Sequence, residues 1–209
     1  MEILKKKWAK SALCLSLFTL FSVSLVVTVQ ATIYEKYILN SQRNRLQSQL
    51  AVMLPGISFN NNLIKSCGLY SDPAITGNEK YQIYTAKMND EITGYVIQHK
   101  TGAGYGGDIV LLTSITPDGD ILKVSVTRHN ETPGLGDLIL QTAGGWLDQF
   151  TGANLSNRKF AVKKEGGDFT YTTGATITPR AVVNAEKDLL EYFLNHKRRF
   201  DLEGSCNGD

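Results

Sequence analysis

The chain has 209 residues, of which 42% are hydrophobic and 20% are charged, and its formal net charge is +2. That length suits one ordinary domain of about 150 residues with an attached segment, and the composition excludes a disordered chain. Its 3 cysteines are too few for a disulfide scaffold, a four-cysteine zinc site or a cysteine-held iron–sulfur cluster. The small net charge gives no reason to expect nucleic-acid binding.

The N-terminus combines a basic cluster with a long uncharged segment. Residues 1–10 contain Lys5, Lys6, Lys7 and Lys10. Residues 11–30 carry no formal charge, and a helix of that length spans the roughly 30 Å hydrocarbon core of a bilayer. Lysines ahead of such a segment favour a cytoplasmic N-terminus. We therefore predict a cytoplasmic basic terminus at 1–10, a transmembrane anchor at 11–30 and export of the remainder.

A cleaved signal peptide is the alternative interpretation of this segment. The residues Val29-Gln30-Ala31 are similar to a small-residue cleavage site. The apolar stretch is, however, longer than the roughly 7–15 residues usual in a signal peptide, which favours an uncleaved anchor. Cleavage after Ala31 would produce a secreted protein, and the mature N-terminal residue distinguishes the two possibilities.

The remainder indicates a helix followed by a mixed domain. Residues 31–56 have the spacing of a juxtamembrane helix, which ends at Pro55-Gly56. Within residues 57–209, alternating or β-branched runs predict strands, and apolar residues three or four apart predict helices. The predicted strands are 81–87, 92–99, 108–116, 121–128 and 159–163, and the predicted helices are 138–150 and 178–198. Antiparallel strands with packed helices make an α+β domain.

A glycine-rich segment formally matches a dinucleotide-binding fingerprint. Gly102, Gly104 and Gly107 satisfy G-x-G-x-x-G, but that fingerprint needs a helix after it to hold the pyrophosphate. The residues that follow, 109–112, are typical of a strand instead. We therefore expect a strand-to-strand loop whose glycines allow close approach to a ligand.

Two further segments join polar side chains to turns. Segment 129–136 follows a strand, and it is either a plain turn or a loop that faces a ligand. His129 and Glu131 alone are too few for a metal site. In the other segment, Thr178 followed by Pro179 predicts a helix start, with Thr176 just ahead of it. A phosphate there would meet the positive end of the helix dipole, although a simple cap would use the same residues.

Both segments resemble a known family. Thr173-Gly174-Ala175-Thr176 resembles the [ST]-G-A-T signature of FMN-binding domains that carry flavin on threonine. Segment 129–136 is similar to the H-x-E-T-P-G-L-G sequence that lines the flavin in that family. With the single anchor, these motifs identify the chain as a member of the flavin-carrying subunits of Rnf-type ion-translocating oxidoreductases. The related component of sodium-translocating NADH:quinone reductases is generally longer, but it remains an alternative.

The resemblance implies a cofactor, a set of site residues and partners. FMN would be attached covalently through its phosphate to Thr176, by a flavin transferase that uses FAD and releases AMP. The implied cofactor-binding residues are Thr173, Gly174, Ala175, Thr176, Glu131, Thr132 and Leu135, with no catalytic residue and no metal ligand. The chain would relay electrons beside other membrane subunits, in a complex that couples ferredoxin/NAD electron transfer to ion translocation. Its place would be the bacterial inner membrane, with the soluble domain on the periplasmic side.

One position departs from the family motif. The motif D-x-x-[ST]-G-A-T has an aspartate where this chain has Thr170, and Asp168 stands two positions earlier. Because that aspartate is implied to help the transferase recognise its target, the departure motivates an alternative function, an anchored binding or scaffold protein without flavin. A fluorescent band that survives denaturing electrophoresis would exclude that alternative.

The cysteines also bear on the predicted location. Cys14 lies within the anchor and is expected to remain a thiol. Cys67 and Cys206 both follow the anchor, and an exported domain is in an oxidising environment where they can form a disulfide. Two separate thiols are the alternative.

Overall fold

The structure is a computed structural model, and it describes residues 2–73, 75–134, 136–140, 145–171, 174–200 and 206. The chain divides into two compact units, Met1–Leu46 and Gln47–Asp209. The first unit is helical throughout its described residues, and the second contains the sheet. The candidate site lies in the second unit.

Helix α1 (Glu2–Val52) continues without a break through both segments predicted as the anchor and the helix after it. Within it, Ala12–Gln30 has a mean hydropathy of 2.3 over 19 residues, and 0% of that stretch is buried. This length and composition fit a transmembrane helix. The chain turns after α1 at Gly56, whose φ of +72° favours glycine.

The sheet is an antiparallel meander of five strands in chain order. The strands are β1 (Cys67–Tyr70), β2 (Tyr81–Met88), β3 (Glu91–Gly104), β4 (Gly107–Ile115) and β5 (Ile121–Arg128). The first four predicted strands correspond to β2, β3, β4 and β5, which confirms the predicted α+β class. Strand β1 is not predicted, because four residues that include a glycine are too short to show a period.

Helix α2 (Ile177–Phe200) packs its apolar face against one side of the sheet and encloses the main core. The Phe193 ring meets the Tyr95 ring of β3 edge to face, with 5.1 Å between their centroids. On β3, a Cβ at Gly94 would lie 3.3 Å from Leu54 Cδ2, so the chain just after α1 lies against the sheet there. Leu54 therefore covers the sheet at Gly94, on the side opposite to Tyr95 and α2.

The predicted helix over 138–150 is wrong. The structure has two short 3-10 helices there, Gly136–Leu140 and Trp146–Phe150, and residues 141–144 lie outside the described residues. Gly145 is extended, with φ −72° and ψ 160°, and its N–H donates to Asp148 Oδ2 at 3.1 Å. This cap begins a new helix at Trp146, so the apolar spacing does not belong to one continuous element.

The predicted strand over 159–163 is also wrong. One isolated bridge pairs Val162 with Phe169, and the Lys163 N–H donates to the Phe169 carbonyl at 2.7 Å. The Lys159 N–H donates to Asp168 Oδ2 at 2.7 Å. Because a Cβ on Gly167 would overlap the Ala161 backbone, this segment closes into a tight loop.

A disulfide joins Cys67 at the start of β1 to Cys206, with 5.4 Å between the two Cα atoms. The bond connects residues 139 positions apart. It ties Cys206 to the edge strand of the sheet. Cys14 is a free, exposed thiol in α1.

We predict that only one of the three cysteines reacts with a thiol label under denaturing, non-reducing conditions. Replacing Cys206 by serine should make Cys67 reactive as well and should lower the free energy of unfolding by about 2–4 kcal/mol, because the long loop is no longer closed. Cys14→Ser is the matched control and should leave the unfolding midpoint of the sheet domain unchanged. Three labelled cysteines in the unaltered chain would contradict the bridge.

Candidate functional site

Thr176 lies immediately before the first residue of α2, and its carbonyl accepts the Arg180 N–H at 3.1 Å. The predicted cap, Thr178 with Pro179 as first helical residue, is therefore wrong by two positions. The Thr178 hydroxyl donates to Glu131 Oε2 at 2.5 Å, which leaves it engaged outside the helix. Thr176 itself occupies the N-cap position and is partly exposed.

The signature that precedes α2 is only partly described. Gly174 is exposed and has a φ of +87°, a conformation that a residue with a side chain adopts only under strain. Ala175 is partly exposed, and Thr173 lies outside the described residues. The described part therefore presents Gly174, Ala175 and Thr176 together at the start of α2.

The turn after β5 buries Glu131 and exposes the residues that follow it. The Glu131 side chain is 5% exposed, whereas Thr132 and Gly134 are exposed. Glu131 N–H donates to His129 Nδ1 at 3.1 Å, which closes the turn locally. Leu135 lies outside the described residues. Thr132 is thus available to a ligand, and the Glu131 carboxylate points into the protein.

The glycine-rich segment forms the hairpin between β3 and β4 and approaches the same carboxylate. The Gly106 N–H donates to Glu131 Oε1 at 3.1 Å. A Cβ at Gly104 would lie 2.5 Å from Glu131 Oε1, and a Cβ at Gly136 would overlap Glu131 Oε2. The loop is not a dinucleotide fingerprint, because β4 follows it directly.

These contacts bring three predicted segments to one place. The hairpin at Gly106, the turn at Glu131 and the first turn of α2 at Thr178 are joined through one carboxylate. Sequence reasoning identified each segment but missed the roles of Gly106 and Thr178. The local pattern carries no signal for contacts between residues so far apart in the chain, although the need for glycine at Gly104 and Gly106 is a partial indication.

Thr170, which occupies the position of the motif aspartate, is held by the 3-10 helix Trp146–Phe150. The Thr170 N–H and hydroxyl both donate to Gln149 Oε1, at 2.8 and 3.2 Å. Trp146 Nε1 donates to the Thr170 carbonyl at 2.7 Å. Asp168 instead accepts a backbone N–H in its own loop, as described above. A glutamine and a threonine hydroxyl therefore stand where the motif has a carboxylate.

A second polar cluster lies inside the core, beneath α2. His99 on β3, Thr113 on β4 and Glu186 on α2 are each 0% exposed. The Thr113 hydroxyl donates to Glu186 Oε1 at 2.8 Å, and His99 Nε2 lies 3.0 Å from that hydroxyl and 3.3 Å from the carboxylate oxygen. Within the described part of the chain, His99 Nδ1 and Glu186 Oε2 have no hydrogen-bond partner. Sequence reasoning did not find this cluster.

Two titratable groups near this cluster have altered acidity. Burial raises the pKa of the Tyr70 hydroxyl well above its usual range, and that hydroxyl donates to the Gln98 carbonyl at 2.6 Å. Burial likewise raises the pKa of the Asp188 carboxyl, which follows Glu186 closely along α2. Among the described residues, no group of three or more His, Cys, Asp or Glu side chains could hold a metal ion.

The described features define an α+β protein with an apolar N-terminal helix and with Thr176 at the start of α2, two residues from the Thr178 contact that joins α2 to the hairpin and the turn. The family model "FMN-binding domain" matches residues 104–191, which include the hairpin glycines, Glu131, Thr176 and most of α2. The matched class is thus a flavin-binding domain.

Relatives whose sequences match most of the chain define the particular family. The G component of the ion-translocating oxidoreductase complex of Vibrio vulnificus is 35% identical over 193 residues, covering 91% of each chain. The Escherichia coli protein of the same name is 40% identical over 185 residues, covering 85% of this chain and 87% of the relative. That of Shewanella loihica is 37% identical over 208 residues, covering 97% and 98%. The chain belongs to the family of G components of ion-translocating oxidoreductase complexes.

Proposed function

We propose that this chain is an electron-transfer subunit that carries FMN as a phosphoester on Thr176. The observation that carries the proposal is the position of Thr176, a partly exposed hydroxyl-bearing residue at the N-cap of α2. It coincides with the final threonine of the [ST]-G-A-T signature, in a chain whose relatives are oxidoreductase subunits.

The residues around Thr176 fit the phosphate end of FMN. The first N–H groups of a helix have no carbonyl partner within it and carry the positive end of its dipole. Ile177 and Thr178 occupy that first turn, whereas Pro179 has no N–H. A phosphate on the Thr176 hydroxyl is therefore stabilised by the start of α2.

The neighbouring surface fits a ring with polar edges and apolar faces. Thr132 and Gly134 are exposed on the turn after β5, and the apolar Ile177 is 46% exposed beside Thr176. Such a mixture of apolar surface and a few polar groups is typical of cofactor sites. With Thr176, we assign to the flavin site Thr173, Gly174, Ala175, Thr132 and Leu135, and we assign Glu131 to it through the turn that carries Thr132.

Attachment requires a flavin transferase as partner. In that step, Thr176 Oγ forms a bond to the FMN phosphorus of FAD, the pyrophosphate bond breaks, AMP leaves and the hydroxyl proton is released. The bound flavin supplies the redox chemistry, and the chain supplies attachment and orientation. Its redox partners are other membrane subunits of the same complex.

The soluble domain lies on the periplasmic side in this proposal. The lysines ahead of Ala12–Gln30 favour a cytoplasmic N-terminus, and the Cys67–Cys206 disulfide suits an oxidising compartment. Because an exported domain has no supply of cytoplasmic FMN, a covalent bond prevents loss of the cofactor.

The complex couples ferredoxin/NAD electron transfer to ion translocation in this proposal, and the ion pathway belongs to other subunits. The apolar stretch Ala12–Gln30 contains no Asp, Glu, Lys, Arg or His. Ion pathways through a membrane use such residues or water-filled cavities lined by several helices. The role of this chain is therefore confined to the electron relay.

The test is to produce the full chain together with a flavin transferase. We expect a fluorescent band after denaturing electrophoresis, and flavin absorbance that bleaches with dithionite and recovers in air. A colourless protein would support the second candidate, an anchored scaffold protein without flavin, which Thr170 at the motif-aspartate position favours.

We predict that Thr170→Asp increases the rate of flavin attachment at limiting transferase. The substitution restores the carboxylate of the motif at the position that the family resemblance assigns to recognition by the transferase. Thr170→Asn is the matched control, because it has the same shape without the charge. An equal increase in both variants would contradict a role for the carboxylate. No increase in either variant would indicate that the transferase already recognises the Thr170–Gln149 pair.

A further inference from the structure

The Glu131 carboxylate has an unusual environment for a group on a turn. It is 5% exposed, yet it belongs to a segment whose next three residues are exposed. A buried carboxylate is costly unless its oxygens accept hydrogen bonds. Both oxygens do so here, one from Gly106 N–H and the other from the Thr178 hydroxyl.

Glycines at three positions make room for this carboxylate. Side chains at Gly104 and Gly136 would collide with the Glu131 oxygens, and one at Gly106 would collide with the Asn130 backbone. None of these three glycines has a positive φ, so the left-handed conformation does not explain them. Close approach to the Glu131 turn does explain them.

The Glu131 carboxylate lies where both of its hydrogen-bond donors, the Gly106 N–H and the Thr178 hydroxyl, favour a negatively charged acceptor. Thr178 is in the first turn of α2, where the helix dipole is positive, and a carboxylate there is stabilised. The Thr178 hydroxyl donates at 2.5 Å, the short distance typical of a bond to a charged acceptor. The carboxylate therefore fixes the first turn of α2 against the hairpin rather than serving only as a turn residue.

We propose that Glu131 is a positioning residue, whose carboxylate clamps the Gly106 hairpin to Thr178 and thereby orients the Thr176 hydroxyl for attachment of FMN. This inference rests on the proposed function for the role of Thr176. Thr176 is two residues from Thr178 and its carbonyl bonds to Arg180, so a shift of this first turn moves the acceptor with it. The Glu131 carboxylate acts through backbone position, and its oxygens do not contact the flavin.

The first test measures the initial rate of flavin attachment to the full-length apoprotein by purified transferase and FAD. We expect Glu131→Gln and Thr178→Val each to lower that rate roughly tenfold or more, since small misplacements of reacting groups have large effects. The double variant should be no slower than the slower single one, because both remove the same clamp. Thr178→Ser should recover much of the rate lost in Thr178→Val.

Glu191→Gln is the matched control, because it makes the same change at an exposed position of α2, where Glu191 pairs with Lys187. It should attach flavin at the rate of the unaltered chain. Attachment at that rate in Glu131→Gln, with a shifted flavin reduction potential, would overturn the clamp and indicate direct contact between the carboxylate and the ring.

The second test does not depend on flavin. In a Thr176→Ala background, amide hydrogen exchange of peptides that cover Gly102–Gly107 should become roughly tenfold faster when Glu131 is replaced by glutamine, because a charged acceptor is lost. An unchanged exchange rate would contradict the proposed clamp between Glu131 and the hairpin. Covalent flavin on Thr176→Ala would instead overturn the proposed function and leave the clamp standing.

Discussion

Replacing Thr176 by alanine is expected to remove covalent flavin completely from the full-length protein. A phosphoester needs a hydroxyl, and alanine has none. The nearest described alternative, Thr178, cannot take over, because it is 1% exposed and its hydroxyl is bonded to Glu131. The measurement is in-gel flavin fluorescence after denaturing electrophoresis, normalised to protein.

Two control variants test whether the Thr176 hydroxyl is the acceptor. Thr176→Ser retains a hydroxyl at the same N-cap and should retain flavin. Thr173→Ala should lower but not abolish attachment, because Thr173 is part of the recognition signature and not the acceptor. A fluorescent band of normal intensity from Thr176→Ala would refute the assignment.

The second large effect is expected from the buried cluster beneath α2. Replacing Glu186 by alanine leaves His99 and Thr113 in the core without their shared acceptor. Leaving a buried donor without its acceptor costs about 1–3 kcal/mol for each such group, because it stays desolvated and unpaired, and the cavity left by the Glu186 side chain adds to that loss. We therefore expect the unfolding midpoint in guanidinium chloride, followed by Trp146 fluorescence, to fall sharply.

The companion variant replaces the whole cluster by apolar residues. His99→Leu, Thr113→Val and Glu186→Leu together should recover much of the lost stability, because apolar groups of similar volume often replace buried polar sets without cost. Glu191→Ala on the exposed side of α2 should change the free energy of unfolding by less than about 0.5 kcal/mol. A loss below about 1 kcal/mol in Glu186→Ala would contradict the structural importance of the cluster.

The sequence predicted the strands and turns that have strong local signals. The turn between β2 and β3 contains Asn89 and Asp90, with φ of +50° and +68°, a conformation that these residue types accept more readily than most. The turn before β5 has Gly119 at φ +90°, following Pro117 and Asp118. In these hairpins the alternation of apolar residues and the turn residues indicate the same strand ends, so the local sequence pattern is sufficient to predict them.

The elements that sequence reasoning missed depend on contacts made elsewhere in the fold. The start of α2 was predicted two residues late because the preferred capping residue, Thr178, bonds to Glu131, 47 positions away. The cluster of His99, Thr113 and Glu186 likewise joins residues from two strands and a helix. The spacing of apolar residues along the sequence gives no information about such pairs, since they come together only when the chain folds.

The attachment of FMN to Thr176 is tested most directly by the mass of the purified full-length chain, followed by fragmentation of the peptide that contains residues 174–180. We expect a mass increased by FMN less one water, with the whole increment on Thr176. An unmodified mass after production with an active transferase, or an increment on another residue, would contradict it.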